Sequence, residues 1–347
     1  MGEQKSLEPY ETNELFGHGL LERRLLELYR SGRQHHALLL AGPRGIGKAT
    51  LAFRLASFVL VNTNPLSDEV ASANSLHVDA GLKTRRLVSR LAHPDLITIN
   101  PNIFSEENRS GEIKVDHVRW ALSRLATLPD SGGWRVCIID TVDDLNHNAA
   151  NALLKVLEEP PEKTIMILIS SRPQRLLATI RSRCIKFSFG PIENDDTSKA
   201  ILTACPELAD DGNLPALIKI SQGSPGRAIQ LARAQGLELH RKFKSLTADL
   251  MRLDMGEVHK LASDLGEAKA SELYHIFLEF LENDISDRVI KIACRQHVPL
   301  ALEPWLQLWE KVTMAINDTQ TFNLDRKQLI LNAFFELEEN ARKSTHA

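Results

Sequence analysis

Cysteine is scarce in this chain of 347 residues, and the four cysteines that it has lie far apart. No two of them form a C-x-x-C pair, so the sequence predicts neither a disulfide framework nor a zinc site built on cysteine. An apolar run of about 18 residues, the length of a membrane-spanning helix, is also missing. The first residues lack the apolar core of a secretory signal. These absences favour a protein of the reducing cytoplasm that does not enter a membrane.

Charge of one sign is not in excess either. The formal net charge is −3, so the chain as a whole has no electrostatic footprint for nucleic acid, and any contact with DNA has to come from a local basic surface. A hydrophobic content of 43% and a charged content of 25% are those of a soluble globular protein. The length predicts two or three domains, each with its own core.

The chain is organised around a glycine-rich turn that follows a short apolar run. The run extends from Ala37 to Ala41, and a helix-forming sequence begins at Lys48. A strand, a glycine loop and a helix in that order are the context of a phosphate-binding loop, whose backbone N–H groups converge on phosphate oxygens at the helix N-terminus. We therefore predict a nucleotide-binding site that contains Gly42, Gly45, Gly47 and Lys48.

Two positions near this loop depart from the pattern of a working ATPase. The pattern G-x-x-x-x-G-K-[ST] places a hydroxyl group for Mg²⁺ directly after the lysine, whereas this chain has Ala49 and only then Thr50. The apolar strand VCIID ends in Asp140, where P-loop NTPases hold Mg²⁺, but the next residue is Thr141 and not a carboxylate that activates water. These residues argue against fast ATP hydrolysis by the chain itself.

Apolar runs and amphipathic helices alternate over residues 36–190. This pattern predicts a parallel sheet that helices cover on both faces. After Pro191 no strand pattern returns, and short helices surround the turn GSPGR. From about residue 240 the chain reads as a series of amphipathic helices. The predicted fold is therefore an α/β domain followed by helical regions.

Two arginines stand at positions from which they could contact phosphate. Arg183 lies in a Ser-Arg-Cys turn, and an arginine displayed there can reach a nucleotide on a neighbouring subunit as an arginine finger. Arg227 begins a helix within GSPGRA, and in a domain packed over the nucleotide it could sense phosphate. Taken one at a time, Arg183 is better explained as a solvated surface arginine and Arg227 as a helix-start arginine with no role.

These motifs occur together in the order and spacing of bacterial clamp-loader AAA+ subunits. The resemblance is carried by GPRGIGKATLA, GGWRVCIID, NAANALLKVLEEPPEKTIMILISSRP, IRSRC and GSPGRA. It runs from the LFGH segment near Leu15 through residue 230 and is looser in the C-terminal helices. Within this family, Ala49 and Thr141 favour the non-hydrolysing member over the ATPase subunits.

The resemblance implies an AAA+ P-loop domain over residues 1–190, a small helical lid over residues 191–238 and an all-α collar domain over residues 239–347. The collar domain joins the subunits of this family into a ring.

The resemblance also implies roles for single residues. Arg183 is implied to be the arginine finger that completes the ATP site of the adjacent subunit. Arg227 is implied to be the second sensor of phosphate, and Ser170 or Ser171, at the end of a central strand, the first. ATP or ADP with Mg²⁺ is the cofactor that the loop would take.

The implied partners are the delta and gamma/tau subunits of a hetero-pentamer, which loads the sliding clamp at primed DNA. The chain would thus be a subunit of a DNA-directed DNA polymerase holoenzyme in the cytoplasm, at the nucleoid-associated replisome. Many relatives of this family carry a four-cysteine zinc module before the His-Pro-Asp segment, which is at residues 93–95 of this chain. Residues 54–92 contain no cysteine, so we expect no zinc here.

Two other functions stay open at this point. An active clamp-loader ATPase could use Thr50 as a displaced Mg²⁺ ligand, and it would turn over ATP in isolation until Lys48→Ala abolished the activity. A metabolic P-loop kinase would need a pocket for a small-molecule acceptor, and it leaves the helical C-terminal third unexplained.

Overall fold

The computed structural model describes residues 6–32, 35–100, 112–127, 129, 132–294 and 299–345. The chain forms two compact units, Met1–Ile229 and Gln230–Ala347. The finer division into three domains stays a prediction.

The strands of the first unit form one parallel sheet in the order β2-β3-β4-β1-β5. They are β1 (Ala37–Ala41), β2 (Leu96–Ile99), β3 (Arg135–Asp140), β4 (Thr164–Ser170) and β5 (Ile185–Ser188). All residues of β1 and β4 are buried, because helices cover both faces of the sheet. For this reason both strands read as continuous apolar runs. The predicted parallel sheet is confirmed.

Helices lie between the strands and continue after the last one. The helices that begin in the first unit are α1 (Gly19–Arg30), α2 (Lys48–Val61), α3 (Asp68–Ser72), α4 (Lys83–Val88), α5 (Val115–Leu125), α6 (His147–Glu158), α7 (Ala178–Arg181), α8 (Asn194–Ala204), α9 (Leu214–Ser221) and α10 (Pro225–Arg233). The helices of the second unit are α11 (Gly236–Thr247), α12 (Met255–Gly266), α13 (Ser271–Ala293), α14 (Pro299–Phe322) and α15 (Arg326–Thr345).

Alternate residues of each strand project to opposite faces of the sheet and build two separate cores. On one face Leu40 packs in a cluster with Leu51 of α2 and with residues of α1. On the other face Leu39 packs with Leu153 of α6 and with residues of α5. The two cores hold the strand ends, and the loops that follow them, in fixed positions.

Buried arginines hold the segment between α2 and β2, for which the sequence pattern gave little structure. Arg85 of α4 is 5% exposed and donates to the main-chain carbonyl groups of residues 10–12 at 2.8–3.2 Å. Glu22 of α1 accepts hydrogen bonds from Arg54 at 2.6 Å and from the main-chain N of Leu76 at 3.1 Å. Charge-assisted hydrogen bonds therefore organise this segment.

The second unit is helical in its described residues, as predicted. Phe243, Phe277 and Phe334 form its aromatic centre, with ring centroids 5.8–6.3 Å apart. Asp284 is buried beside them on α13 and accepts a hydrogen bond from Lys244 at 2.6 Å. None of the described helices of the chain combines the length and the apolar character that crossing a bilayer requires.

Candidate nucleotide site and arginine turn

The phosphate loop (residues 42–48) leaves the carboxyl end of β1 and enters α2 at Lys48. Gly45 and Gly47 have φ values of +74° and +101°, a left-handed backbone that glycine adopts without steric cost. Helix α2 begins directly after the loop, and its dipole favours an anion at this N-terminus. Strand, loop and helix follow one another as the sequence predicts.

Lys48 is only 4% exposed, and acceptors of its own chain surround its ammonium group. Nζ donates to the carbonyl oxygen of Gly42 at 2.7 Å, to that of Pro43 at 2.6 Å and to Oγ of Ser171 at 3.3 Å. Burial lowers the pKa of Lys48 to about 8, against the opposing attraction of nearby aspartates. All three N–H donors of the ammonium group are thus engaged within the chain.

A second turn of the same unit, the lid turn (residues 223–227), lies directly on the phosphate loop. The main-chain N of Gly226 donates to the carbonyl oxygen of Gly45 at 2.8 Å. Ser224 Oγ donates to the carbonyl oxygen of Arg44 at 2.8 Å. The approach is so close that a Cβ atom on Gly226 would lie 2.7 Å from Cα of Gly45. The backbone of the lid turn therefore contacts the phosphate loop at Arg44 and Gly45, a contact that the sequence did not reveal.

Asp140, the predicted magnesium ligand, ends β3 near Lys48. Burial raises the pKa of Asp140 to about 6, although the charge of Lys48 lowers it. Thr141 follows and donates from Oγ1 to Oδ2 of Asp144 at 2.8 Å. Because the hydroxyl proton of Thr141 is engaged and a threonine is not a base, this position does not supply the carboxylate that activates water.

Two more predicted residues lie close to the loop. Thr50 is half-buried on the first turn of α2, one position after Ala49. Arg227 belongs to the lid turn, with its main-chain N 3.4 Å from Oγ of Ser224. Their predicted roles in nucleotide binding stay predictions.

Ser170, the predicted first sensor, is buried at the end of β4 and is held by a carboxylate. Its Oγ donates to Oδ1 of Asp143 at 2.6 Å, and Oδ2 of Asp143 accepts from the main-chain N of Ser171 at 2.5 Å and of Arg172 at 3.2 Å. Asp143 lies in a short 3₁₀ turn, and the sequence pattern gave no reason to join it to β4. It fixes the end of β4 beside Lys48.

His18 supports the phosphate loop from the side of α1. It is 5% exposed, and its Nε2 lies 2.8 Å from the carbonyl oxygen of Ile46. Because a carbonyl oxygen only accepts, Nε2 carries the proton in this hydrogen bond. The ring packs edge-on against Phe189, with centroids 4.7 Å apart. Sequence reasoning missed this contact, although His18 belongs to the LFGH segment.

The arginine turn (residues 182–184) lies at the opposite end of the sheet from the phosphate loop. It precedes β5, whose first residue Ile185 pairs with Leu38 near the start of β1, whereas the phosphate loop follows the end of β1. A strand rises about 3.3 Å per residue, so the four residues from Leu38 to Gly42 put about 13 Å between the two levels. Arg183 and the phosphate loop of its own chain therefore lie at opposite ends of the sheet.

Arg183 is held from two sides. Its NH2 group donates to Oε1 of Glu158 at 2.7 Å, and its NH1 group donates to the carbonyl oxygen of Thr179 at 3.0 Å. The arginine side chain is 34% exposed, so part of the guanidinium group faces solvent.

The residues around the phosphate loop fit a phosphate group better than they fit a metal ion. The backbone N–H groups of Gly45 and Gly47 donate to no acceptor in the part of the chain that is described. Within that part, no group of three or more His, Cys, Asp and Glu side chains is arranged to hold a metal ion. The loop retains phosphate donors, whereas Ala49 and Thr141 stand where Mg²⁺ and its activated water would need a hydroxyl and a carboxylate.

A parallel sheet in this strand order, with a phosphate loop after β1 and a helical turn lying on that loop, defines the class of AAA+ P-loop proteins. The predicted fold class is confirmed. The family model described as "DNA polymerase III, delta subunit" matches residues 18–193, about half of the chain.

Curated relatives narrow this class further. The chain is 34% identical to "DNA polymerase III subunit delta'" of Escherichia coli K12 over 253 residues, which are 73% of this chain and 70% of that protein. It is also 34% identical to the subunit of the same name from Pseudomonas aeruginosa over 219 residues, or 60% of this chain and 62% of that protein. The chain belongs to the family of DNA polymerase III delta-prime subunits.

The comparison also reaches a differently named subunit of DNA polymerase III. The chain is 33% identical to "DNA polymerase III subunit tau" of E. coli K12 over 156 residues, which are 45% of this chain and 22% of that protein. The percentage identity alone therefore does not distinguish delta-prime from tau. The match to delta-prime of E. coli extends over more residues than the match to tau, 253 against 156, and so favours delta-prime. With the P. aeruginosa relative the alignment spans less than two thirds of that protein's length.

Proposed function

We propose that this chain is the clamp-loader subunit that donates Arg183 to ATP bound by a neighbouring subunit, and that it does not itself hydrolyse ATP at a useful rate. The position of Arg183 carries the proposal. The residue lies partly exposed at the amino end of the strands, whereas its own phosphate loop follows their carboxyl end. An arginine in that position acts on phosphate only when a second subunit brings the phosphate to it.

The state of the chain's own phosphate loop supports the second part of the proposal. The donors of Lys48 are occupied by the chain's own oxygen atoms, and the lid turn is hydrogen-bonded to Gly45. To contact the phosphates of a bound nucleotide, Lys48 would have to exchange these partners for phosphate oxygens. Hydrolysis also needs charge and a base at places where Ala49 and Thr141 stand.

The proposed partners follow from family membership. They are the delta and gamma/tau subunits in a hetero-pentamer, with the sliding clamp and primed DNA as the objects on which the complex acts. The proposed location is the cytoplasm, at the replisome. The loop binds ATP or ADP in this proposal without a catalytic Mg²⁺ site, and no zinc is assigned to the chain.

The test is the ATPase activity of the reconstituted assembly with Arg183→Ala. Removing an arginine finger costs about 10³-fold or more at the site that it serves, so the assembly loses that site's share of DNA-stimulated ATP hydrolysis. Arg181→Ala is the matched control, because Arg181 is an exposed arginine two positions away. Gel filtration should give the same assembly for both variants. Equal hydrolysis by the two variants would reject the finger.

An active ATPase is the second candidate, and the similarity to the tau subunit is the observation that favours it. It predicts steady ATP turnover by the isolated chain that Lys48→Ala abolishes. Turnover below the detection limit in the isolated chain, with activity appearing only in the mixed assembly, supports the non-hydrolysing subunit instead.

A further inference from the structure

The carboxylate that contacts Arg183 comes from α6, a helix whose motif NAANALLKVLEEPP has no role in the function proposed so far. We propose that Glu158 is the positioning residue of Arg183: it holds the guanidinium group in the orientation in which the arginine meets the neighbour's nucleotide. This inference rests on the proposed function, because it assigns a partner to the same arginine.

The geometry restrains the guanidinium group at two points. Glu158 Oε1 accepts from NH2 at 2.7 Å, and the carbonyl oxygen of Thr179 accepts from NH1 at 3.0 Å. These acceptors belong to two elements, α6 and α7, that pack on the same core. Because a guanidinium group has five N–H donors in a fixed plane, two contacts set its orientation and leave donors for a phosphate.

The backbone that carries Glu158 is itself fixed. The preceding residue, Leu157, is buried, and its carbonyl oxygen lies 2.9 Å from Nε2 of His36 at the start of β1. Pro160 and Pro161 end the helix just beyond. The Glu158 carboxylate is thus held by a well-fixed helix end, which suits a side chain that positions Arg183.

The location of Glu158 is also unfavourable unless a cation accompanies it. It occupies the last position of α6, where the helix dipole presents its negative end and disfavours a carboxylate. The two side chains are 34% and 50% exposed, and an ion pair this exposed adds little to stability. What the pair supplies is the direction of the arginine, and orientation errors of about 1 Å cost roughly 10²-fold in rate at a catalytic group.

The experiment uses the reconstituted assembly with Glu158→Ala. We expect the Arg183-dependent share of kcat for DNA-stimulated ATP hydrolysis to fall roughly tenfold, since one of two restraints is lost. The KM for ATP, the assembly on gel filtration and the urea midpoint of the isolated chain should not change. Glu159→Ala is the matched control, because Glu159 is an exposed glutamate next in sequence. Glu158→Gln keeps an acceptor oxygen and should restore activity to within about twofold of wild type.

The double variant separates this inference from the proposed function. In the Arg183→Ala background, Glu158→Ala should lower hydrolysis no further, because its effect passes through the arginine. Equal activities of Glu158→Ala and Glu159→Ala, or a further loss in the double variant, would overturn the role of Glu158 while leaving Arg183 in place. If Arg183→Ala alone has no effect, the arginine finger and its positioning residue fall together.

Discussion

The two ends of the sheet treat their charged groups in opposite ways. At the carboxyl end of β1, Lys48 is buried and bonded to its own chain, and the lid turn is hydrogen-bonded to Gly45. At the other end, the Arg183 side chain is 34% exposed, and its contacts with Glu158 and Thr179 use only two of its five N–H donors. Both places carry a cation suited to phosphate, but only the second presents it outward.

This difference predicts which substitutions change the stability of the isolated chain and which change only the activity of the assembled complex. Side chains around the phosphate loop, such as Lys48 and Asp143, are hydrogen-bonded within the chain, so changes there should reduce the stability of the first unit. Groups in the arginine turn contribute little to stability, so changes there should affect only the assembled complex. Measurements of unfolding on the isolated chain can therefore test the loop half of the comparison.

The largest effect on stability is expected from Gly226→Ala. The new Cβ atom would lie 2.7 Å from Cα of Gly45 and 3.0 Å from its carbonyl oxygen, so the lid turn has to move off the loop. Overpacking of this kind, with loss of the hydrogen bond to Gly45, should cost about 3 kcal/mol in urea denaturation despite the better helix propensity of alanine. Gly19→Ala is the control, since nothing lies within 4 Å of that position. Equal stability of the two variants would mean that the lid turn does not rest on the loop.

A smaller loss, about 2 kcal/mol, is expected from Asp143→Ala. Its carboxylate accepts from the buried Oγ of Ser170 and from two main-chain N–H groups, and these donors would lose their partner. Asp144→Ala serves for comparison, because Asp144 is exposed and its carboxylate accepts from the hydroxyl group of Thr141. A loss for Asp144→Ala as large as that for Asp143→Ala would contradict the view that Asp143 holds the end of β4.

The local parts of this comparison could be predicted from the sequence. The apolar run before Gly42, the glycine loop and the helix at Lys48 are neighbours in the chain, so periodicity and turn chemistry identify them. The same holds for Asp140 at the end of β3. These features need no knowledge of what packs against them.

The long-range contacts around the phosphate loop could not be predicted in this way. Gly226 and Gly45 are in contact although most of the first unit separates them in sequence. Asp143 contacts Ser170 only because β3 and β4 are neighbours in the sheet. Glu158 likewise meets Arg183 only after α6 has returned to the amino end of the sheet. A single sequence carries no periodic signal for such pairs, since they depend on how the strands are ordered.

The smallest effect is expected from His18→Leu, which should cost about 1 kcal/mol at pH 7.5 by leaving the carbonyl oxygen of Ile46 without its donor. Burial lowers the pKa of His18 below its usual value, although Ile46 and Asp196 oppose the shift. The native state therefore binds fewer protons than the unfolded state near pH 6, and wild type loses stability as the pH falls through the unfolded pKa. The leucine variant lacks this titration, so the difference between the two unfolding free energies should narrow from pH 7.5 to pH 5.5. A difference that widens instead would mean that His18 becomes charged in the folded protein and pairs with Asp196, and that the side of the loop facing α1 is open.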